Sequence, residues 1–462
     1  MNSADRRENS IARLGTDSIG RLLWQYSLPA VVGVVVMSLY NVMDRIFIGR
    51  GVGADAIAGL AVTFPVMNLS AAIGLLVGTG AAARISILLG IGNRDEANRV
   101  LGNSVVLIMI NAVVYLSLFA IYIDPILMLF GASQVTLPYA RDFMLYILPG
   151  MLIMNLMYGL NNIMRASGYP KQAMYTMLIG AGANLLMGPL FIFGFGLGIK
   201  GAAIATDLSM ALGLVFVWLH FCKPESVVRF QPGIYSLKWH IVVSVVAIGA
   251  APSLVNFTAC ATNAMVNNLL WRYGGDIAVG AVGIFATYTG LLCMTVVGVC
   301  QGVQPILGYN YGARKFNRLR RAFWLAAGVG VAITTFGAVV AEAAPQWIAM
   351  AFTSDVQLIE ATRHALRLSM LAFWFIGFQI VATTLFQSLG MAGKSIFVSL
   401  VRQVIFFVPM LFILPPLYGL DGVWLSFPVS DVFAILTVVG MVWYQMRRLR
   451  QMAGADYFST QA

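Results

Sequence analysis

The chain has 462 residues, 60% of them hydrophobic and 10% charged, with mean hydropathy +0.83 and a formal net charge of +11. So few polar residues cannot cover a water-soluble fold of any number of domains, and the composition is that of a polytopic membrane protein. Nor does the charge point to nucleic acid: Arg6, Arg7, Arg13, Arg21, Arg94, Arg99, Lys223, Lys238, Arg314, Lys315, Arg318, Arg447 and Arg448 fall in the tails and alternate turns, the bias that keeps basic loops in the cytoplasm.

Residues 1–21 mix both signs of charge and lack a cleavage signature, so a retained cytoplasmic tail is expected. A bilayer core about 30 Å thick takes about 20 helical residues to cross. Apolar runs long enough recur near 22–48, 56–83, 99–123, 141–164, 172–195 and 199–221. After a polar linker at 223–238 they resume near 239–271, 277–304, 321–343, 358–388, 394–417 and 420–446, and a basic tail follows at 447–462. Twelve transmembrane helices are predicted, in an N-terminal unit at 22–222 and a C-terminal unit at 239–446, with both termini cytoplasmic.

The first span, Ser27 to Gly49, carries Pro29 near one end and Asp44 near the other. A carboxylate inside a membrane is expensive and marks a partner or a function. Tyr40 and Asn41 precede it by four and three residues, so one helix face carries all three. The other acids within spans are Asp207, Glu342 and Asp431. Glu342 adjoins Pro345 and Trp347 and reads as a solvated helix end. Arg402, about 12 Å into the eleventh span, and Asp431, about 15 Å into the twelfth, reach the midplane together. They read as a structural ion pair, because either charge alone would be costly there. Cys222, Cys260, Cys293 and Cys300 lack metal-ligand spacing and read as packing residues.

Self-comparison shows a duplication. Pro29 and Asp44 are matched by Pro252 and Asn267 at the same spacing, Asp55 and Gly59 by Asp276 and Gly280, Arg94 by Arg314, Gly168 by Gly390, and Gly198 by Gly419, at offsets of 220 to 223. Six spans per copy is an even number, so the copies enter the membrane from the same side. They are related by a pseudo-two-fold along the membrane normal, as in parallel-repeat transporters with a central cleft.

Pro29 with Asp44, NNIMRASGYPK at 161–171, GANLLMGPLFIFGFGLGIKGAAIAT at 182–206, QGVQPILGYNYGARK at 301–315 and RQVIFFVPMLFILPPLYGLDGVWLSFPVSD at 402–431 together resemble the multidrug and toxic compound extrusion (MATE) transporters. The last of them resembles the MepA-like branch. The resemblance implies an all-α, two-lobed antiporter that expels lipophilic, often cationic compounds against sodium or protons. It needs no cofactor beyond the coupling ion and no nucleic acid, and it would sit in a bacterial inner membrane as a monomer among its lipids. It also implies a cation site in the N-lobe that falls on Asp44, Asn161, Asn184 and Thr206, with Gly188 where the family pattern has a further oxygen ligand. Asp207, directly after Thr206, is the candidate to replace that ligand as a second acid. Carboxylate, amide and hydroxyl oxygens suit a hard cation, and a desolvated carboxylic acid suits a proton, so the coupling ion is H+ or Na+.

Two other classes fit the sequence less well. A lipid-linked precursor flippase needs a basic cavity, whereas Arg402 is the one deep cation here. An intramembrane enzyme needs a nucleophile or metal cluster, and His220, His240 and His364 lie near helix ends without one. The chain is not expected to be an enzyme.

Overall fold

In lipid every backbone N–H and C=O must be satisfied within the segment, so apolar runs of this length become helices. The computed structural model describes residues 11–52 and 54–459. The first ten and last three residues of the expected tails, and the side chains of Asp55 and Gly59, lie outside what it describes. In chain order the spans are α1 Ile19–Gly51, α2 Ala54–Ile91, α3 Arg94–Ile121, α4 Leu137–Ala166, α5 Pro170–Pro189 and α6 Gly198–Cys222. Trp239–Gly312 is one run of 74 residues, parted by a non-helical Gly275 into α7 and α8. At about 1.5 Å per residue it is long enough for two crossings. α9 is Phe316–Ala343. α10 joins Val356–Ser369 to Ile376–Ser388 through a bend of 61°. α11 runs from Ala392–Leu400 into Val408–Tyr418, and α12 is Leu420–Ser459. These make the twelve predicted spans, and no strand occurs among the described residues.

Local chemistry sets the ends. Asn93 caps α3, its side chain accepting from Glu96 N at 3.1 Å, and Asp355 caps α10 by accepting from Gln357 N at 2.8 Å. Gly92, Gly168, Gly390 and Gly419 stand at positive φ in the connections, a conformation that costs glycine least. Lys315 N bonds Asn310 O in the second copy just as Asn93 N bonds Leu88 O in the first. The counterpart of Gly92 is therefore Arg314, the one non-glycine at positive φ among the described residues (φ 55). The offset there is 222, and the sequence alignment of Arg94 with Arg314 is corrected by two residues.

The lobes are not contiguous pieces of sequence at the end that carries the termini and basic turns. There α1 places Ile19, Leu22 and Tyr26 in a core with Leu307, Phe323 and Leu385 of the second copy, joined by Leu14 from the tail. Farther along, Met37 of the same helix packs with Met157, Met177 and Met210 of the first. α7 mirrors this. Its Ile241 and Val245 pack with Val77, Leu101 and Phe221, whereas Val266 and Leu270 pack with Phe373 and Trp424.

Small residues let the copies approach closely in that half of the bundle. A Cβ on Gly80 would overlap Val245 O, and one on Gly249 would overlap Leu76 O. Gly302 lies on the Ser27 backbone, and Gly312 on Ile87 O. Hydrogen bonds cross at the same level: Ser27 Oγ to Val299 O at 3.2 Å, Gln304 Nε2 to Thr79 O at 3.3 Å, and Arg165 Nη1 to Gln301 Oε1 at 2.6 Å. In the opposite half, Asn41 on α1 and Asn256, Asn263 and Asn267 on α7 are exposed. The three α7 asparagines lie on one helical face, and an exposed amide face belongs to a water-filled cleft rather than to lipid. The cleft thus opens away from the termini.

Candidate cation-coupling site and the cleft between the lobes

Three of the N-lobe candidates meet. Thr206 on α6 is buried and accepts from Asn184 Nδ2 of α5 at 3.2 Å; its hydroxyl also pairs with the Tyr40 hydroxyl of α1 at 3.3 Å. Asp44 lies one turn beyond Tyr40 on the same face and within its electrostatic reach, as does Asp207. The polar cluster therefore joins α1, α5 and α6 through hydroxyl and amide groups, with a carboxyl on either side.

Asn41 is not in the cluster: it is exposed, and its side chain donates back to Met37 O at 3.0 Å. Asn161 lies elsewhere too. Its amide donates to Ala173 O at 2.7 Å and its carbonyl accepts from Arg165 Nη2 at 2.9 Å. With Arg165 bonded to Gln301, Asn161 belongs to the polar junction that closes the termini end. About 19 residues, or roughly 28 Å of helix, separate the α4 N-terminal region near Asp142 from the level of Asn161, which puts the latter at the far end of its helix from the cleft mouth.

Neighbouring positions on a helix point about 100° apart. While Thr206 faces α1 and α5, Asp207 turns to α4, where its carboxyl rests on Gly150; a Cβ there would coincide with it. One carboxyl oxygen of Asp207 is buried without a hydrogen-bond partner. At Gly188 an added Cβ would meet Phe47 at 3.4 Å and Asn184 Oδ1 at 3.6 Å, ordinary contacts, so a side chain has room beside the cluster. The role of Gly150 was missed in the sequence, although a Pro-Gly pair inside a span signals close approach.

In the C-lobe, Arg402 Nε donates to Asp431 Oδ1 at 2.7 Å, joining α11 to α12. α11 passes through Val401–Phe407 as a π-helical segment, a wider turn common at functional positions. Another such turn, Leu190–Gly194, follows Pro189 at the end of α5. Thr258 of α7 bonds Gln403 at 2.6 Å beside Arg402, a contact with no signal along the chain. Among the described residues no group of three or more His, Cys, Asp and Glu could hold a metal.

Twelve helices in two lobes with polar groups facing a cleft define a membrane transporter. The MatE family model matches residues 29–190 and again residues 251–413. The chain belongs to the MatE family, whose members are transporters rather than enzymes. It is similar to the multidrug export protein MepA of Staphylococcus aureus (strain NCTC 8325 / PS 47), 25% identical over 429 residues, 93% of this chain and 94% of that one. It is also similar to an FAD transporter of Shewanella oneidensis, 27% identical over 421 residues, 90% of this chain and 92% of that one. Among solved structures, the MATE multidrug transporter DinF-BH in complex with R6G is 34% identical with a TM-score of 0.85, covering 93% of this chain and 96% of that one. An outward-facing multidrug resistance MATE family transporter of the MOP superfamily shares the fold at TM-score 0.89 and 23% identity, covering 95% of this chain and 98% of that one.

Proposed function

We propose that the chain is a secondary active exporter of lipophilic, often cationic compounds in a bacterial inner membrane. It works as a monomer with both termini cytoplasmic, and its lobes alternate access while H+ or Na+ enters through the N-lobe. The observation that carries this reading is the Tyr40, Thr206 and Asn184 cluster flanked by Asp44 and Asp207, set against Asn267 at the Asp44 position of the second copy. Asp44 is the coupling acid. Thr206, Asn184 and Tyr40 supply neutral oxygens beside it, and Asp207 is the second acid, its unsatisfied oxygen available to a proton or cation. Asn161 acts at the closed end of the cleft, and Asn41 lines its wall.

Support for drugs as cargo comes from MepA and from the R6G complex of DinF-BH. The FAD transporter supports a second reading with an anionic aromatic cargo, favoured by the cation that Arg402 holds in the C-lobe. The test is dye efflux from vesicles containing the purified chain under an imposed sodium or proton gradient. Efflux driven by one ion and lost in Asp44→Asn is expected; efflux that ignores both gradients, or survives the substitution, overturns the reading.

A further inference from the structure

Arg402 is an unusual residue to leave half-engaged. It stands about ten residues, roughly 15 Å, inside α11, and its bond to Asp431 uses Nε alone. The Asp431 side chain is 4% exposed and that of Arg402 is 30% exposed. The aspartate is thus sealed in the lobe, and the guanidinium reaches an opening. Among the described residues no protein group bonds either Nη, and neither Nη is among the buried atoms left unsatisfied. A guanidinium at this depth cannot face hydrocarbon and must face water.

α7 stands beside this stretch of α11. Gln403, next in the chain, is bonded to Thr258 of α7. Thr258 is the chain neighbour of Phe257, which lies about 100° round α7 from it and is 48% exposed. The planar fork of N–H donors on α11 therefore stands at about the level of the Phe257 ring on α7. Asp431 fixes the fork by holding the Nε edge from behind.

We infer that the Nη edge of Arg402 is a substrate subsite of the C-lobe, which receives the carboxylate, sulfonate or phosphate of an anionic aromatic compound whose ring lies against Phe257. Guanidinium matches such groups through two parallel N–H bonds, which a lysine ammonium cannot reproduce. Asp431 is a positioning residue and makes no contact with the substrate. The subsite also separates the two charges of transport, with acids for the coupling ion in the N-lobe and a cation for cargo in the C-lobe. It rests on the transporter reading for the existence of the cleft, but not on antiport.

Riboflavin and its 5′-phosphate share one ring system and differ by the phosphate, so they isolate the charge. Binding of each to the full detergent-solubilised chain is read by quenching of flavin fluorescence, with the melting temperature of every variant measured alongside. Wild type is expected to prefer the phosphate by roughly tenfold or more, the size of a charge-assisted hydrogen bond. Arg402→Lys, which keeps the charge next to Asp431, should cut the preference to a few-fold, and Arg402→Gln should abolish it. Asp431→Asn should keep it, and Phe257→Ala should weaken both flavins alike. Equal affinities in wild type, binding of neither flavin, or a preference unchanged in both Arg402 variants would overturn the subsite. Because no gradient is applied, failure of antiport in vesicles leaves this measurement standing, and the reverse also holds.

Discussion

The Arg402 and Asp431 pair makes a quantitative prediction because its two ends are so unequally buried. Removing one partner of a fully buried pair costs about 3–5 kcal/mol, since a charge is left without compensation. Asp431, at 4% exposure, is close to that limit. Arg402→Gln should therefore lose about 3 kcal/mol or more. In Asp431→Asn the orphaned charge is that of Arg402, whose side chain is 30% exposed, so the loss should fall to about 1–2 kcal/mol. The double variant removes both charges and should be more stable than Arg402→Gln alone, because uncharged replacements of a buried pair are often nearly neutral. Thermal unfolding of the four detergent-solubilised proteins, read as a double-mutant cycle, measures the order. The pair would not be the clamp between α11 and α12 if Asp431→Asn melted below Arg402→Gln, or if the double variant melted below both single ones.

Asp44→Asn should insert and fold like wild type yet bring gradient-driven efflux down to the level of empty vesicles, as measured by dye release. Asp207→Asn should shift the pH profile of efflux, and adding Gly188→Asp should recover it. Position 188 admits a side chain beside Asn184, and an unchanged profile in the single variant would remove Asp207 from the coupling site. Gly249→Leu should jam the contact with Leu76, leaving cysteines placed near Gly302 open to thiol reagents from the cleft; full protection would refute the close-packed seal. Gln301→Ala removes the second-copy partner of Arg165 Nη1, leaving Asn162 of the same helix, and should weaken closure by about 1–2 kcal/mol, visible as faster labelling at the same cysteines.

Much was legible along the chain because a bilayer makes local demands. Span length, the basic turns, the single prolines and the recurrence of glycines such as Gly168 and Gly390 are properties of short stretches, and they specify twelve helices, their order and two related copies. The acids stood out because carboxyl groups are rare in spans. Pairing was legible only where depth alone constrained it, as for Arg402 and Asp431. What depends on rotation about a helix axis or on helix paths was not. Asp207 faces Gly150 and its neighbour Thr206 faces Tyr40, a difference of about 100° that adjacency in sequence conceals. Asn161 shares a helix with the walls of the N-lobe but is bonded to Arg165, at the closed end. The boundary between lobes is likewise not a point in the sequence. α1 packs Leu22 into one core and Met37 into the other, because a helix that crosses between two bundles buries a different face at each end. The number of crossing helices and the residues that the membrane makes costly follow from composition along the chain; which of those residues meet follows only from the packed bundle, because contacts depend on the azimuth and path of each helix against its neighbours.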